Sequence, residues 1–91
     1  MNHSAIDGRD GAVLNEIFAL PTATGLAWSR AVRLVGRIGR VKQKNEAHYV
    51  FDFGERQAVF VRPTTADMPP PDVDRLRRLM ADVGLSGRRA I

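Results

Sequence analysis

No cysteine occurs anywhere in the 91 residues, which excludes disulfides, thiolate metal sites and cysteine nucleophiles. No apolar run is longer than a few residues, so nothing in the sequence reads as a membrane span. Met1 to Gly11 is polar and carries Asp7 and Asp10, without the apolar stretch of a secretory leader; a cytoplasmic location is the expectation. Histidine is scarce, with only His3 and His48. No zinc-ligand spacing, Gly-rich phosphate loop or Ser-His-Asp order is present, so no metal and no cofactor is expected. Aromatic residues number one Trp, one Tyr and four Phe, and three of these six crowd into Tyr49, Phe51 and Phe53.

A chain of this length makes one small domain, which buries about 60–65% of its unfolded surface. An apolar share of 44% with 26% charged residues suits a soluble globular protein. The net charge is +4, with a pI near 10.7, and it is unevenly spread. Residues 1–29 sum to −2, residues 30–62 to +5 and residues 63–91 to +1. A positive field concentrated in the middle of the chain favours a polyanion or an acidic protein partner. A solvated basic face with no ligand is the plainer alternative.

Hydrophobic spacing divides the chain into four helical or extended blocks. Residues 1–11 read as a disordered N-terminal arm that contains His3. Ala12–Leu20 reads as a short leader helix with Val13, Ile17 and Leu20 as its stripe, widened by Leu14 and Phe18. Pro21 ends it. A second helix runs to Ile38, with Trp28, Ala31, Val32, Val35 and Ile38 on one face, Ser29 as a candidate N-cap and Gly39 suited to a left-handed end. Gly36 inside it suggests close packing against a neighbour.

Three strands follow, at about 40–44, 47–53 and 56–62. Gly54-Glu55 fits a two-residue hairpin connection, and Asn45-Glu46 joins the first two strands. Pro69-Pro70-Pro71 reads as a stiff exit loop, Asp72 as the N-cap of a last helix with Val73, Leu76, Leu79, Met80 and Val83 as its buried stripe, and Gly84 as its end. Residues 86–91 form a basic tail, and 12–85 a single domain. The expected class is α+β: a three-stranded antiparallel sheet with helices on one face, plus an extra N-terminal helix.

The segment from Arg40 to Phe53 carries the functional signal. On an extended chain Arg40, Lys42 and Lys44 project to one side. His48, Val50 and Asp52 point one way, and Tyr49, Phe51 and Phe53 the other. The aromatic trio is the face a sheet buries against helices, which leaves His48 accessible. An imidazole that titrates near neutrality, beside a cationic ridge, suits binding and cleaving a polyanion such as RNA. Arg62, just before Pro63, is a further cation able to reach that face. Asp52 and Glu55 flank a turn and read as turn chemistry, not as a metal pair.

Arranged in this order, the chain resembles the HicA family of bacterial toxin–antitoxin modules over about Leu14 to Leu85. The similar runs are Leu14-Asn-Glu-Ile-Phe-Ala-Leu-Pro21, which is like the leader of a longer subgroup, Trp28 at the opening of the first core helix, and Gly39 at its end. Ala58-Val-Phe-Val-Arg-Pro63 and Val73 to Leu85 resemble the third strand and the closing helix. The resemblance implies a double-stranded-RNA-binding-domain-like α-β-β-β-α fold and a metal-independent mRNA endonuclease silenced by a HicB-like antitoxin. It implies His48 as the catalytic residue; the cationic ridge itself marks Arg40, Lys42 and Lys44, with Arg62, as candidate RNA ligands. Where the family has Gly-Ser-His entering an aromatic strand, this chain has Glu46-Ala47-His48. That difference keeps a second expectation open, a catalytically impaired RNA-binding or protein-interaction module on the same fold.

Overall fold

The computed structural model describes residues 8–85. Its elements in chain order are α1 (Gly8–Phe18), α2 (Trp28–Ile38), β1 (Arg40–Gln43), β2 (His48–Asp52), β3 (Gln57–Val61) and α3 (Pro70–Asp82). The strands form one antiparallel sheet in the order β1-β2-β3. Helices α2 and α3 pack on one face of it, and α1 lies across those two helices. The α+β class is as expected. The basic tail at 86–91 and the arm over residues 1–7, with His3, lie outside the described residues.

The core is built on period-two burial in the sheet and period-3.6 burial in the helices. Val41, Tyr49, Phe51, Ala58 and Phe60 face the helices, with Phe51 and Phe60 fully buried. Trp28 stacks on Phe51 at 5.6 Å between ring centroids and meets Tyr49 edge-on at 5.4 Å. Phe51 stacks on Phe60 at 4.6 Å, and the Arg75 guanidinium of α3 sits 4.4 Å from the Phe60 ring centre. Phe51 and Trp28 are core, and Tyr49 and Phe53, partly buried, pack against it on the face that alternation indicated. Leu34 joins the expected stripe of α2.

Several local expectations change. Helix α1 begins at Gly8, four residues before the expected start, and ends at Phe18, so residues 8–11 belong to the domain and not to a disordered arm. Asp10 explains the early start: it is buried, and it pairs with Arg37 Nε at 2.9 Å and with Arg33 Nε at 3.8 Å on α2. Leu20 is not in the stripe; it lies beyond the helix and is 79% exposed beside the cis Leu20–Pro21 bond. At the start of α2 the Ser29 side chain makes no cap. The Trp28 N–H donates instead to the Ala66 carbonyl, and Met68 N–H to that of Leu26, an isolated bridge that buries both Leu26 and Met68.

Glycines and prolines also change roles. Gly39 has φ −154°, not a left-handed value. It is small because a Cβ there would lie 2.6 Å from the Asp52 carbonyl oxygen and 2.8 Å from Phe53. Gly36 faces open space and has no packing reason. Pro70 and Pro71 are the first turn of α3, where no N–H is needed, and Pro69 takes the cap position expected of Asp72. Asp72 falls inside that turn, favoured by the helix dipole, and pairs with Arg75. At the other end Gly84 (φ +87°) closes a Schellman motif, with Gly84 N–H donating to Ala81 and Leu85 N–H to Met80.

Helix α1 buries Val13, Leu14 and Ile17 against its own domain, so it needs no second copy to cover it. Ile17→Ala is expected to cost about 2–5 kcal/mol in urea unfolding, whereas Leu20→Ala should change stability by less than about 0.5 kcal/mol. Equal effects of the two would place the end of the buried stripe wrongly.

Candidate functional site

Strand pairing determines which side chains share the face opposite the helices. The register sets Arg40 beside Asp52 and Lys42 beside Val50 on the β1 side. On the β3 side it sets His48 beside Val61, Val50 beside Val59 and Asp52 beside Gln57. Directly opposed residues point to the same face, so the open face carries Arg40 and Lys42, then His48, Val50 and Asp52, then Gln57, Val59 and Val61. It is cationic along β1 and apolar along β3, where Val59 is 42% and Val61 51% exposed.

The cationic ridge does not act as one unit around His48. Lys44 is its neighbour across the ladder: the Lys44 N–H donates to the His48 carbonyl at 2.9 Å. Lys42 lies one pair further along, beside Val50. Arg40 stands opposite Asp52, four residues from His48 along β2, which is roughly 13 Å on a strand. Arg62 goes elsewhere. Its N–H pairs with the Ala47 carbonyl at 2.7 Å, and the residue lines a shallow cleft of about 700 Å3 with Glu46, Ala47, Trp28 and Ser29, at the α2 end of the sheet. The structure therefore sets Lys44 opposite His48, with Lys42 one pair further along, and separates Arg40 and Arg62 from them.

Asp52 is engaged by the turn and the ridge. Its Oδ1 accepts the Gly54 N–H at 2.8 Å, and its Oδ2 lies 3.4 Å from Lys42 Nζ. The turn glycine has φ +91°, a left-handed value that the expected hairpin connection requires. The Gly54 hydrogen bond, then the hydrogen bond and charge of Lys42 and the charge of Arg40, hold the Asp52 carboxyl below its ordinary value of 3.8. Turn chemistry is thus the role of Asp52, and Lys42 reaches the face already paired with an acid.

His48 is exposed, and its ring is tethered. Nδ1 lies 3.0 Å from Asn45 Oδ1, an oxygen that also accepts the Ala47 and His48 backbone N–H groups at 2.9 and 2.8 Å. Asn45 read from sequence only as a connection between strands. The available signal was an asparagine three residues before a strand, the side chain that most readily bonds its own turn. Among the described residues no group of three or more His, Cys, Asp or Glu side chains is placed to hold a metal ion. Chemically, the face offers one accessible imidazole, with Lys44 opposite it in the ladder and the Lys42 ammonium held toward Asp52. An imidazole in that setting can move one proton.

The depressed Asp52 carboxyl makes a pH prediction. A carboxyl lowered on folding contributes stability that is fully present above its unfolded value and is lost as pH falls through the folded one. The stability gap between the native chain and Asp52→Asn, which keeps a Gly54 acceptor but no charge, should hold near neutrality. It should close as pH drops below the ordinary carboxylate range. A gap of the same size at both ends of a pH series of thermal melts would show that the charge contributes nothing.

Comparison of the chain with protein-family models, with curated proteins and with solved structures returns no match.

Proposed function

We propose that this chain is a HicA-like toxin, a metal-independent endoribonuclease that binds and cleaves mRNA in the cytoplasm and is silenced by a HicB-like antitoxin covering the open sheet face. The observation that carries the reading is the exposed His48 on the central strand, with Lys44 opposite it in the ladder, Lys42 one pair further along and the aromatic trio turned inward. The succession α2-β1-β2-β3-α3 behind one leader helix is the order that a double-stranded-RNA-binding-domain-like fold of this family requires. Lys42, Lys44 and, more distantly, Arg40 and Arg62 supply phosphate contacts. His48 supplies the general acid–base group for attack of a ribose 2′-hydroxyl on its own phosphodiester.

A second reading, a catalytically impaired RNA-binding or protein-interaction module, draws on two features. Glu46 and Ala47 stand where the family has glycine and serine, and a carboxylate beside a phosphate site is repulsive. Val59 and Val61 leave an apolar strip on the same face as His48, which suits a protein partner better than a sugar–phosphate chain.

Cleavage decides between them. The purified chain should cut single-stranded RNA in EDTA, and His48→Ala should slow this about 10²–10⁴-fold while leaving the fold intact. RNA left equally whole by both proteins favours the second reading. Binding is tested separately: replacing Arg40, Lys42 and Lys44 together with glutamine should weaken RNA affinity and lower the slope of log K against log salt by about 2. An unchanged slope would make the ridge a solvated edge.

A further inference from the structure

The turn before β2 contains an arrangement that the ribonuclease reading does not supply. Two backbone N–H groups, those of Ala47 and His48, converge on one side-chain atom of Asn45 at 2.9 and 2.8 Å. Backbone N–H groups only donate, so the atom they share is the amide oxygen and not the amide nitrogen. That oxygen has no hydrogen to give to the imidazole 3.0 Å away. The hydrogen between them therefore belongs to His48 Nδ1, and Nε2 keeps the lone pair whenever the ring is neutral.

We propose that Asn45 is a positioning residue for His48: it selects the Nδ1–H tautomer and holds the ring so that Nε2 is the proton acceptor on the open face. The catalytic consequence rests on the ribonuclease reading; the tautomer does not. Left to itself in water, a neutral imidazole favours the other tautomer, with hydrogen on Nε2, which cannot act as a base through that atom. Asn45 reverses the preference. Its turn is anchored without His48's ring, because Gln43 Nε2 donates to the Asn45 carbonyl at 3.1 Å and Lys44 N–H bonds the His48 carbonyl at 2.9 Å.

In the step this permits, Nε2 takes the proton of the ribose 2′-hydroxyl as the 2′-oxygen bonds to phosphorus. The bond from phosphorus to the 5′-oxygen breaks, that oxygen leaves with the electron pair, and water protonates it. The products are a 2′,3′-cyclic phosphate and a 5′-hydroxyl. The ring, now carrying hydrogen on both nitrogens, returns the Nε2 proton to water. Nδ1–H stays bonded to Asn45 throughout.

Long-range 1H–15N correlation spectra of the full chain read the tautomer directly at a pH where the ring is neutral, with His48→Ala separating His48 from His3. The native chain should show the Nδ1–H pattern. Asn45→Ala should shift the ring to Nε2–H. Asn45→Asp, which offers the same acceptor with a negative charge, should keep Nδ1–H and move the ring's titration to higher pH. RNA cleavage should fall roughly tenfold in kcat for Asn45→Ala, less than for His48→Ala, and recover in Asn45→Asp with its acidic limb shifted upward. An Nε2–H native ring, or a tautomer that Asn45→Ala leaves unchanged, overturns the proposal even if RNA is cut. A fixed Nδ1–H tautomer with no cleavage fells the ribonuclease reading alone and leaves the control of His48 by Asn45 standing.

Discussion

The stack of Trp28, Phe51, Phe60 and Arg75 is the contact on which the other features depend. It joins α2, both strands of the β2–β3 hairpin and α3 through three successive ring contacts. Each aromatic pair adds about 0.5–1.5 kcal/mol beyond its burial, and each large side chain contributes about 1.5–3 kcal/mol by leaving water. In a domain of this size those sums are a large fraction of total stability. Arg75 extends the stack to the sheet's rim, where it donates to the Val59 carbonyl at 2.9 Å. That carbonyl points away from β2, because Ala58 and Phe60, not Val59, bond to the central strand. One guanidinium thus caps the stack and blunts an edge that would otherwise invite another strand.

Fixing Phe51 inward fixes what β2 shows to solvent. A strand has period two, and a slip by one residue would bury His48 and expose three aromatics. The cost of that slip is the whole aromatic stack, so the orientation of His48 is secured by residues that never touch it. Gly39 contributes from the other side: only a residue without a Cβ allows α2 to turn into β1 against the Asp52 carbonyl and Phe53. Replacing it would push β1, with Lys42, away from β2. The geometry of the open face is therefore a property of the core.

The sheet was legible in the sequence because its signal is redundant. Alternation in residues 48–53, a glycine-first turn and a matching pattern in residues 57–61 all give the same register. The same redundancy served α3, with Val73, Leu76, Leu79 and Met80 at helical spacing and Gly84 closing it. What escaped lay where burial does not follow a period. Asp10 sits in a polar stretch with two glycines, and its reason for being helical is an ion pair with α2, two elements of charge that no local pattern connects. Leu26 and Met68 are each isolated between turns and prolines, and they are buried because two loops bond to each other. Of the candidate site, His48 and its face could be read from alternation. The separation of Arg40 and Arg62 from it, and the tether from Asn45, depend on register and turn geometry.

The open face has a gradient that bears on how it could be used. Across β1 it is cationic, but Lys42 already faces Asp52 and Arg40 stands opposite that same carboxylate. Lys44, beyond the end of the strand, is the ammonium whose pairing in the ladder brings it beside His48. Across β3 the face is apolar, with two valines exposed. A long duplex laid over the whole sheet would desolvate those valines against phosphates and gain nothing from them. A footprint centred on His48 still meets Val61, its directly opposed neighbour on β3. A protein partner covering the face could use both halves, meeting the ammonium groups with acids and the valines with apolar side chains. Apolar area therefore reaches His48 itself on the β3 side, while the charge on the β1 side is partly neutralised by Asp52.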